Sequence, residues 1–197
     1  MIATDGVQTA RMAEDSAWLM SGLEDDVRPR MFEVADRDEA FALATIVKAD
    51  GGPRPLGAQM VVTERESWGF LSGGCIEDDV ALNAREVIDD GQPRTIVYGT
   101  GSPLIDIRLP CGGSIEVIIE RVSPTDAALA DLRSLTTARR PAVWISDGRL
   151  RKCIAQEHGD DTAPALIVRH YFPCQRLVVV GSDPFALAIA GLGQTVG

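Results

Sequence analysis

The sequence lacks the residue patterns that build zinc sites, disulfide frameworks and membrane spans. It has only two histidines, His158 and His170, and its four cysteines contain no CxxC pair, so the close ligand pairs of a structural zinc site are missing. The N-terminal residues lack the basic and continuous apolar regions of a signal peptide, so we expect neither an export signal nor a disulfide framework. No apolar run approaches the roughly 20 residues that cross a bilayer. We therefore expect free thiols, no membrane contact and a cytoplasmic location.

Basic clusters are also absent. The net charge is −10, which would repel the phosphates of a nucleic acid, and no run of Lys or Arg offsets it. Nucleic acid is therefore not an expected partner. The hydrophobic fraction of 45% and the charged fraction of 24% are those of a globular protein with a substantial core.

Strand and helix patterns alternate along the chain and predict an α/β fold. After strands at 43–48, 58–63 and 68–71, an apolar stripe runs from Ile76 to Ile88 at helical spacing, and Gly91 and Pro93 end that helix. A helix at 125–138, a hairpin at 142–155 and a strand at 165–171 follow. The last elements, a strand at 176–181 and a helix at 185–192, resemble the opening of a βαβ unit. Because a parallel unit needs a second strand, we interpret the chain as a fragment of a longer protein.

Two cysteines lie beside glycine pairs, in Ser72-Gly73-Gly74-Cys75 and in Pro110-Cys111-Gly112-Gly113. Glycine pairs are typical of positions that need a positive φ or a close approach to a ligand. The two motifs are either two halves of one site or two tight turns that hold buried cysteines. In the first case, amides at a helix N-terminus form an anion cradle, and paired thiolates suit a thiophilic metal centre.

Two further motifs are weaker. Arg54 lies between two prolines, where it either presents its guanidinium to an anion or is a solvated loop arginine. The turn that starts at Gly181 is a degraded dinucleotide fingerprint, because Asp183 stands where a glycine would let the backbone approach a pyrophosphate.

Taken together, four segments resemble the XdhC/CoxI family, whose members are accessory proteins of molybdenum hydroxylases such as xanthine dehydrogenase and carbon monoxide dehydrogenase. The segments are 43–47, 53–62, 71–77 (LSGGCIE) and 109–113 (LPCGG). The resemblance implies a mixed-sheet XdhC/CoxI-type domain followed by the start of a Rossmann-like domain. We accordingly divide the chain into an N-terminal extension (1–35), the cysteine-glycine domain (36–122), a linker region with a helix and a hairpin (123–173) and an incomplete Rossmann-like βα unit (174–197).

The resemblance also implies a function. Such a protein would be a maturation chaperone rather than an enzyme, binding the molybdenum cofactor (molybdopterin), supporting its sulfuration and delivering it to the apo-hydroxylase. A sulfurtransferase is a further candidate partner, and a homodimer is a candidate assembly. The cofactor contacts carried over from the family pattern, with the metal reached through the two thiols, are Cys75, Cys111, Gly73, Gly74, Gly112, Gly113, Ser72, Glu77 and Arg54.

Two alternatives remain open at this point. One is an NAD(P)-dependent oxidoreductase with Cys75 as its active thiol, in which NAD(P) would bind only to a complete C-terminal domain. The other is a cofactor-free scaffold that docks the partner enzyme.

Overall fold

The structure, a computed structural model, describes residues 26–52, 54–102, 109, 112–156, 166–173 and 176–196. The helices among these residues are α1 (Arg28–Asp36), α2 (Glu77–Asp90), α3 (Ala127–Thr137) and α4 (Pro184–Val196). The strands are β1 (Phe41–Asp50), β2 (Gln59–Val62), β3 (Ser67–Gly69), β4 (Arg94–Gly99), β5 (Ser114–Val122), β6 (Ala142–Ser146), β7 (Arg151–Ala155) and β8 (Ile167–Tyr171).

A five-stranded sheet in the order β3-β2-β1-β5-β4 forms the centre of the protein. The predicted α/β class is confirmed, but we expected a mixed sheet, and every pairing between the described strands is antiparallel. The reason is that sequential neighbours such as β2 and β3 are joined by short reversing connections, whereas a parallel pair needs a long crossover.

Both faces of β1 are covered, which explains its unbroken run of buried residues from Phe41 to Ile46. Alternate side chains of a strand point to opposite faces. Ala42, Ala44 and Ile46 pack against α2 in one apolar cluster. Phe41 and Leu43 pack in a second cluster with α1, α3 and the second sheet. The central sheet is therefore a layer between one helix and a mixed helix-sheet layer.

The second sheet has the order β7-β6-β8 and is joined to the first through a buried charge network. The fully buried Glu120 of β5 accepts hydrogen bonds from Trp144 Nε1 at 3.0 Å and from Ser146 Oγ at 2.5 Å. Arg151 pairs with Glu120 at 3.0 Å and with Asp126 at 2.5 Å. Burial by itself would lower the pKa of Arg151, but the neighbouring charges of Glu120 and Asp126 outweigh it and raise that pKa. The network keeps a buried carboxylate fully paired, as its burial requires.

Helix α1 belongs to the packed core. Met31 and Val34 on this helix are completely buried, although the range 1–35 was assigned to an N-terminal extension. Residues 1–25 of that range lie outside the described residues.

The strand predicted at 176–181 is absent. The structure assigns no strand to the described residues 176–183, and Leu177, Val178 and Val180 are more than half exposed. A strand is stabilised by hydrogen bonds to a neighbour, and no described strand pairs with this segment. The helix that follows is present as α4. Among the residues described, no helix combines the length and hydropathy that crossing a bilayer requires.

Candidate functional site

The loops that carry the predicted site residues leave the central sheet at the same end. Antiparallel registers set this arrangement, because the end of β1 at Asp50 pairs with Ser114 at the start of β5, and Gly99 at the end of β4 pairs with the same residue. Gly69 at the end of β3 pairs with Met60 near the start of β2. The connections 51–58, 70–76 and 100–113 therefore project from one end of the sheet, although β3 and β4 are its opposite edges.

Helix α2 packs on β1, β5 and β2, the strands between those edges. Tyr98, near the end of β4, is completely buried and donates a hydrogen bond from its hydroxyl to Asp79 Oδ2 at 2.6 Å. Burial, followed by the adjacent Asp79 carboxylate, raises the pKa of Tyr98, so the phenol stays protonated and keeps donating. This bond holds the first turn of α2, and with it Cys75, beside the end of β4 where the second cysteine-glycine connection begins.

A glutamate fills the predicted anion cradle. The Glu77 carboxylate accepts hydrogen bonds from the backbone amides of Leu71, Ser72 and Gly73 on Oε1 at 2.8, 2.7 and 3.1 Å. Its Oε2 accepts from the amides of Gly74 at 2.8 Å and Ile76 at 3.2 Å, and from the Ser72 hydroxyl at 2.7 Å. We call residues 71–77 with this carboxylate the glutamate nest.

The charge of Glu77 is held by these donors. Burial would raise the pKa of the carboxyl, but the hydrogen bonds from the Ser72 hydroxyl and from the backbone of Ser72 and Leu71 outweigh it and lower the pKa from 4.5 to about 2. Donors that bind the charged form stabilise it in this way. The nest is therefore closed around a permanent anion at neutral pH.

The two glycines of the nest have a conformational role. Gly73 and Gly74 have φ values of 92° and 105°, a region that other residues rarely adopt, and a Cβ at either position would meet nothing within 4 Å. They are therefore needed to turn their amides toward Glu77. We expected these amides to contact a cofactor; in this structure both donate to Glu77, so a cofactor oxygen could take them only if the carboxylate moved away.

Cys75 lies at the outer surface of the nest. Its side chain is exposed and its thiol is free, while its backbone amide donates to Ser72 Oγ at 2.9 Å. The Ser72 hydroxyl thus accepts from Cys75 and donates to Glu77. The nest fixes the backbone that carries the thiol and leaves the sulfur accessible.

The second motif is described only in part, because Cys111 lies outside the described residues. The amide of Gly112 donates to the carbonyl of Leu109 at 2.9 Å, so it too is engaged within the protein. Gly113 is a packing position, since a Cβ there would come within 2.4 Å of the Gly51 carbonyl oxygen. Contacts within the protein thus account for Gly112 and Gly113 in this structure. Their contact with a cofactor stays a prediction.

Arg54 lies in the connection 51–58 at the same end of the sheet. Its guanidinium stacks over the Phe70 ring at 4.3 Å from the centroid, and Phe70 directly precedes the nest. The arginine is therefore held against an aromatic side chain rather than extended into solvent. This contact orders a cation next to the loop that carries Cys75.

The remaining thiols differ from Cys75. Cys153 on β7 is buried, and burial, together with the charge of Asp131, raises its pKa to about 12. A buried thiol with a raised pKa is typical of a structural, unreactive cysteine. Cys174 lies outside the described residues. Within the described ranges, no three His, Cys, Asp or Glu side chains lie together as a metal site.

Two features of the site were not predicted from the sequence. One is the closure of the nest by Glu77, which we predicted to be a cofactor contact and which instead accepts hydrogen bonds from its own loop in this structure; its contact with a cofactor stays a prediction. The other is the bond between Tyr98 and Asp79, two residues that the sequence analysis did not single out. The sequence signal that could have indicated this bond is a tyrosine near the end of the strand that follows a helix with an acidic first turn. That pattern is too common to identify a specific contact.

Comparisons with known proteins give consistent matches. Residues 34–99 match the model of the XdhC and CoxI family. The chain is 38% identical over 159 residues, 79% of its length, to the molybdenum cofactor insertion chaperone PaoD of Escherichia coli (strain K12), and it spans about half of PaoD, 50% of that protein's length. A solved structure described as a xanthine dehydrogenase from Bacillus halodurans superposes with a TM-score of 0.63 at 22% identity, covering 85% of this chain and 60% of that one. At that identity the likeness shows a shared fold.

Proposed function

Because the chain belongs to the XdhC and CoxI family, we propose that it is an accessory chaperone that binds the molybdenum cofactor and delivers it to a molybdenum hydroxylase. The relative PaoD, at 38% identity, is a molybdenum cofactor insertion chaperone. This chain spans about half of that protein, so the function is a proposal for the part of the protein described here.

The observation that carries the proposal is the accessible thiol of Cys75 on a rigid loop. The glutamate nest fixes the backbone of residues 71–77 through six hydrogen bonds to one carboxylate. The cysteine side chain projects from this loop and is exposed. A carrier needs a ligand that can bind and release its cargo at the surface, and an exposed thiol on an ordered loop meets that need.

The residues present fit the cofactor in part. When bound, the cofactor supplies a thiophilic molybdenum centre and an anionic phosphate. The soft thiol of Cys75 suits the metal, with Cys111 as the second thiol in our proposal. The guanidinium of Arg54, ordered on Phe70, suits the anion. The amides of Gly73 and Gly74 fit less well because Glu77 already binds them.

The finer predictions extend this proposal. The receiving enzyme would be an apo-hydroxylase of the xanthine or carbon monoxide dehydrogenase type, and a sulfurtransferase would act on the carried cofactor. A homodimer stays a prediction. The protein would work in the cytoplasm, where the four thiols of the chain remain reduced.

A binding experiment with matched cysteine variants tests the proposal. Purified molybdenum cofactor is mixed with the wild-type chain and with Cys75→Ser, Cys111→Ser and Cys153→Ala, and the bound fraction is measured by molybdenum content and by fluorescence of the oxidised pterin. We expect stoichiometric binding by the wild type and by Cys153→Ala, whose thiol is buried, and a loss of at least about tenfold in affinity in Cys75→Ser.

The outcomes separate the proposed function from its alternatives. No binding by a folded wild-type chain would overturn the chaperone proposal. Maturation of the hydroxylase that is unchanged by Cys75→Ser and Cys111→Ser would favour the cofactor-free scaffold. Nicotinamide-dependent turnover that is lost in Cys75→Ser would favour the oxidoreductase.

A further inference from the structure

A cleft of about 760 Å³ lies on the face of the central sheet that is opposite to α2. One wall is formed by β1 and the connection after it, including Val47 and Leu56, and the other by β8 and the residues that follow it, including Arg169 and Phe172. Small-molecule sites commonly have volumes of about 300–1,000 Å³. The volume is therefore that of a ligand site, on the other side of the sheet from the helix that begins beside Cys75.

The first arginine of the cleft is already paired. Arg28 is 4% exposed, and its guanidinium binds the Asp26 carboxylate at 2.6 Å and the Phe172 carbonyl oxygen at 2.8 Å. Its charge is therefore compensated within the protein. Arg28 closes one end of the cleft and is not the group that would attract a ligand.

The second arginine has no such compensation. Arg169 Nε is buried without a hydrogen-bond partner, and none of the ion pairs of the described residues includes Arg169. A buried donor without a partner destabilises the folded protein, and a ligand that accepts from it removes that cost. The net charge of the chain is −10, so acidic partners are plentiful. An arginine that lines a cleft without one of them is therefore available to pair with an anionic ligand.

The position of Arg169 is nevertheless fixed. Its guanidinium lies 5.5 Å from the centroid of the Tyr171 ring, and its side chain runs along Gly57, where an added Cβ would come within 3.1 Å of the Arg169 side chain. The Tyr171 hydroxyl donates to Gln59 Oε1 at 2.7 Å, and Gln59 Nε2 donates to Thr45 Oγ1 at 3.1 Å. The arginine therefore rests on an aromatic ring that the core of the protein holds in place.

The cleft also has polar lining residues, among them Asp26, which pairs with Arg28, and His170, and its outer walls are apolar and accessible. Leu56, Leu166 and Phe172 line it, and each is 60% exposed. Exposed apolar side chains grouped around a cavity favour a ligand with a flat or apolar body. A cation beside such walls adds a requirement for negative charge on that ligand.

We propose that this cleft binds a small organic oxyanion whose flat ring packs on Leu56 and Phe172 while its phosphate or carboxylate group pairs with Arg169. The guanidinium supplies charge-assisted hydrogen bonds to such an oxyanion. The cleft shares the connection 51–58 with Arg54, through Leu56 and Gly57, but none of its lining residues belongs to the glutamate nest that carries Cys75, so the proposal goes beyond the proposed chaperone function.

In the test, the chain is titrated with four probes that separate the requirement for a flat ring from the requirement for a negative charge. Adenosine monophosphate and 2-naphthoate are flat anions, adenosine is flat and uncharged, and inorganic phosphate is an anion without a ring. Binding is measured by calorimetry and by the rise in Tm, since a ligand that binds only the folded state stabilises it. We expect at least one flat anion to bind at least about tenfold more tightly than adenosine and inorganic phosphate.

Variants connect the binding to the arginine. Arg169→Gln is expected to lower the affinity for the flat anion by at least about tenfold. Arg169→Lys, which keeps the charge, should retain part of that affinity. The matched control Arg140→Gln makes the same charge change at an exposed residue outside the cleft and should bind as the wild type does.

Three results of these titrations would contradict the proposal. Binding of neither flat anion by the folded wild type, or equal binding by Arg169→Gln, would overturn the proposal. Inorganic phosphate that binds as tightly as adenosine monophosphate would also overturn it, because the flat ring would then contribute nothing. Cys75→Ser should bind the probes like the wild type, so this result is independent of the cofactor experiment.

Discussion

Replacing Glu77 by glutamine tests whether the carboxylate holds the nest together. Glutamine has the same shape, and its Oε1 can still accept from the amides of Leu71 and Ser72. Its NH₂ group replaces the oxygen that accepts from Gly74, Ile76 and the Ser72 hydroxyl. Those donors would then face another donor. We expect the folded state to lose stability at neutral pH without a change of fold.

The magnitude follows from the lowered pKa of Glu77. A change from 4.5 to about 2 corresponds to about 3 kcal/mol, at 1.36 kcal/mol per unit. Because the carboxylate is only partly buried, screening by water reduces this to roughly 1–2 kcal/mol. The pKa is lower in the folded protein, so this stability is present above about pH 5 and is lost as the pH falls toward 2.

The assay is urea unfolding of the wild type and Glu77→Gln between pH 7 and pH 2.5. We expect the variant to be about 2 kcal/mol less stable at pH 7, with the difference narrowing to under about 1 kcal/mol at pH 2.5. Asp78→Asn is the matched control, since Asp78 is exposed in the same helical turn. This variant should lose at most about 0.3–1 kcal/mol of stability, because only the favourable interaction of the charge with the helix dipole is removed.

Two results would refute this reasoning. One is equal stability of Glu77→Gln and the wild type at pH 7. The other is a stability difference that stays constant down to pH 2.5, which would mean that the charge of Glu77 is not what the amides bind. In either case the nest would not be the element that positions Cys75.

Three further predictions concern the core and the thiols. Glu120→Gln removes one of the two carboxylate partners of Arg151 and leaves a buried donor of the network facing the new NH₂ group, so it should cost about 1–3 kcal/mol in urea unfolding; an unchanged stability would contradict the network. Gly113→Ala places a Cβ 2.4 Å from the Gly51 carbonyl oxygen and should lower Tm by several degrees, with an unchanged Tm as the contrary result. Cys75→Ser should remove one fast-reacting thiol from a disulfide-exchange titration because Cys75 is exposed, and an unchanged fast phase would show that the thiol is inaccessible.

The local patterns of the sequence predicted the local structure well. The apolar stripe from Ile76 and the stop at Gly91 predicted α2, and Gly91 has the left-handed conformation typical of a helix end. The family resemblance that LSGGCIE and LPCGG carried is confirmed. The connections that carry the two glycine pairs begin at the same end of the central sheet, and their role as a cofactor site stays a prediction. These features depend on neighbours in the chain, whose spacing is visible in the sequence.

The tertiary structure decided which groups meet. The sequence predicted a set of free amides around Gly73 and Gly74, but folding brings the Glu77 carboxylate onto them. It also predicted a strand at 176–181, which has apolar residues but no described strand to pair with. An amide or a strand edge binds whatever partner the fold presents, and the sequence pattern does not name that partner.

Long-range contacts make the same point. Tyr171 and Gln59 are 112 residues apart and share a hydrogen bond, and this bond supports the ring on which Arg169 rests. The amino-acid sequence by itself determined the family, the α/β class, the helix that follows Cys75 and the acidic charge. The glutamate nest closes within residues 71–77 and is a local contact that the sequence pattern did not reveal. Only the tertiary structure determined the bond from Tyr98 to Asp79 and the surroundings of Arg169 in the cleft, because each depends on side chains brought together from separate elements in a core where every polar group competes for partners.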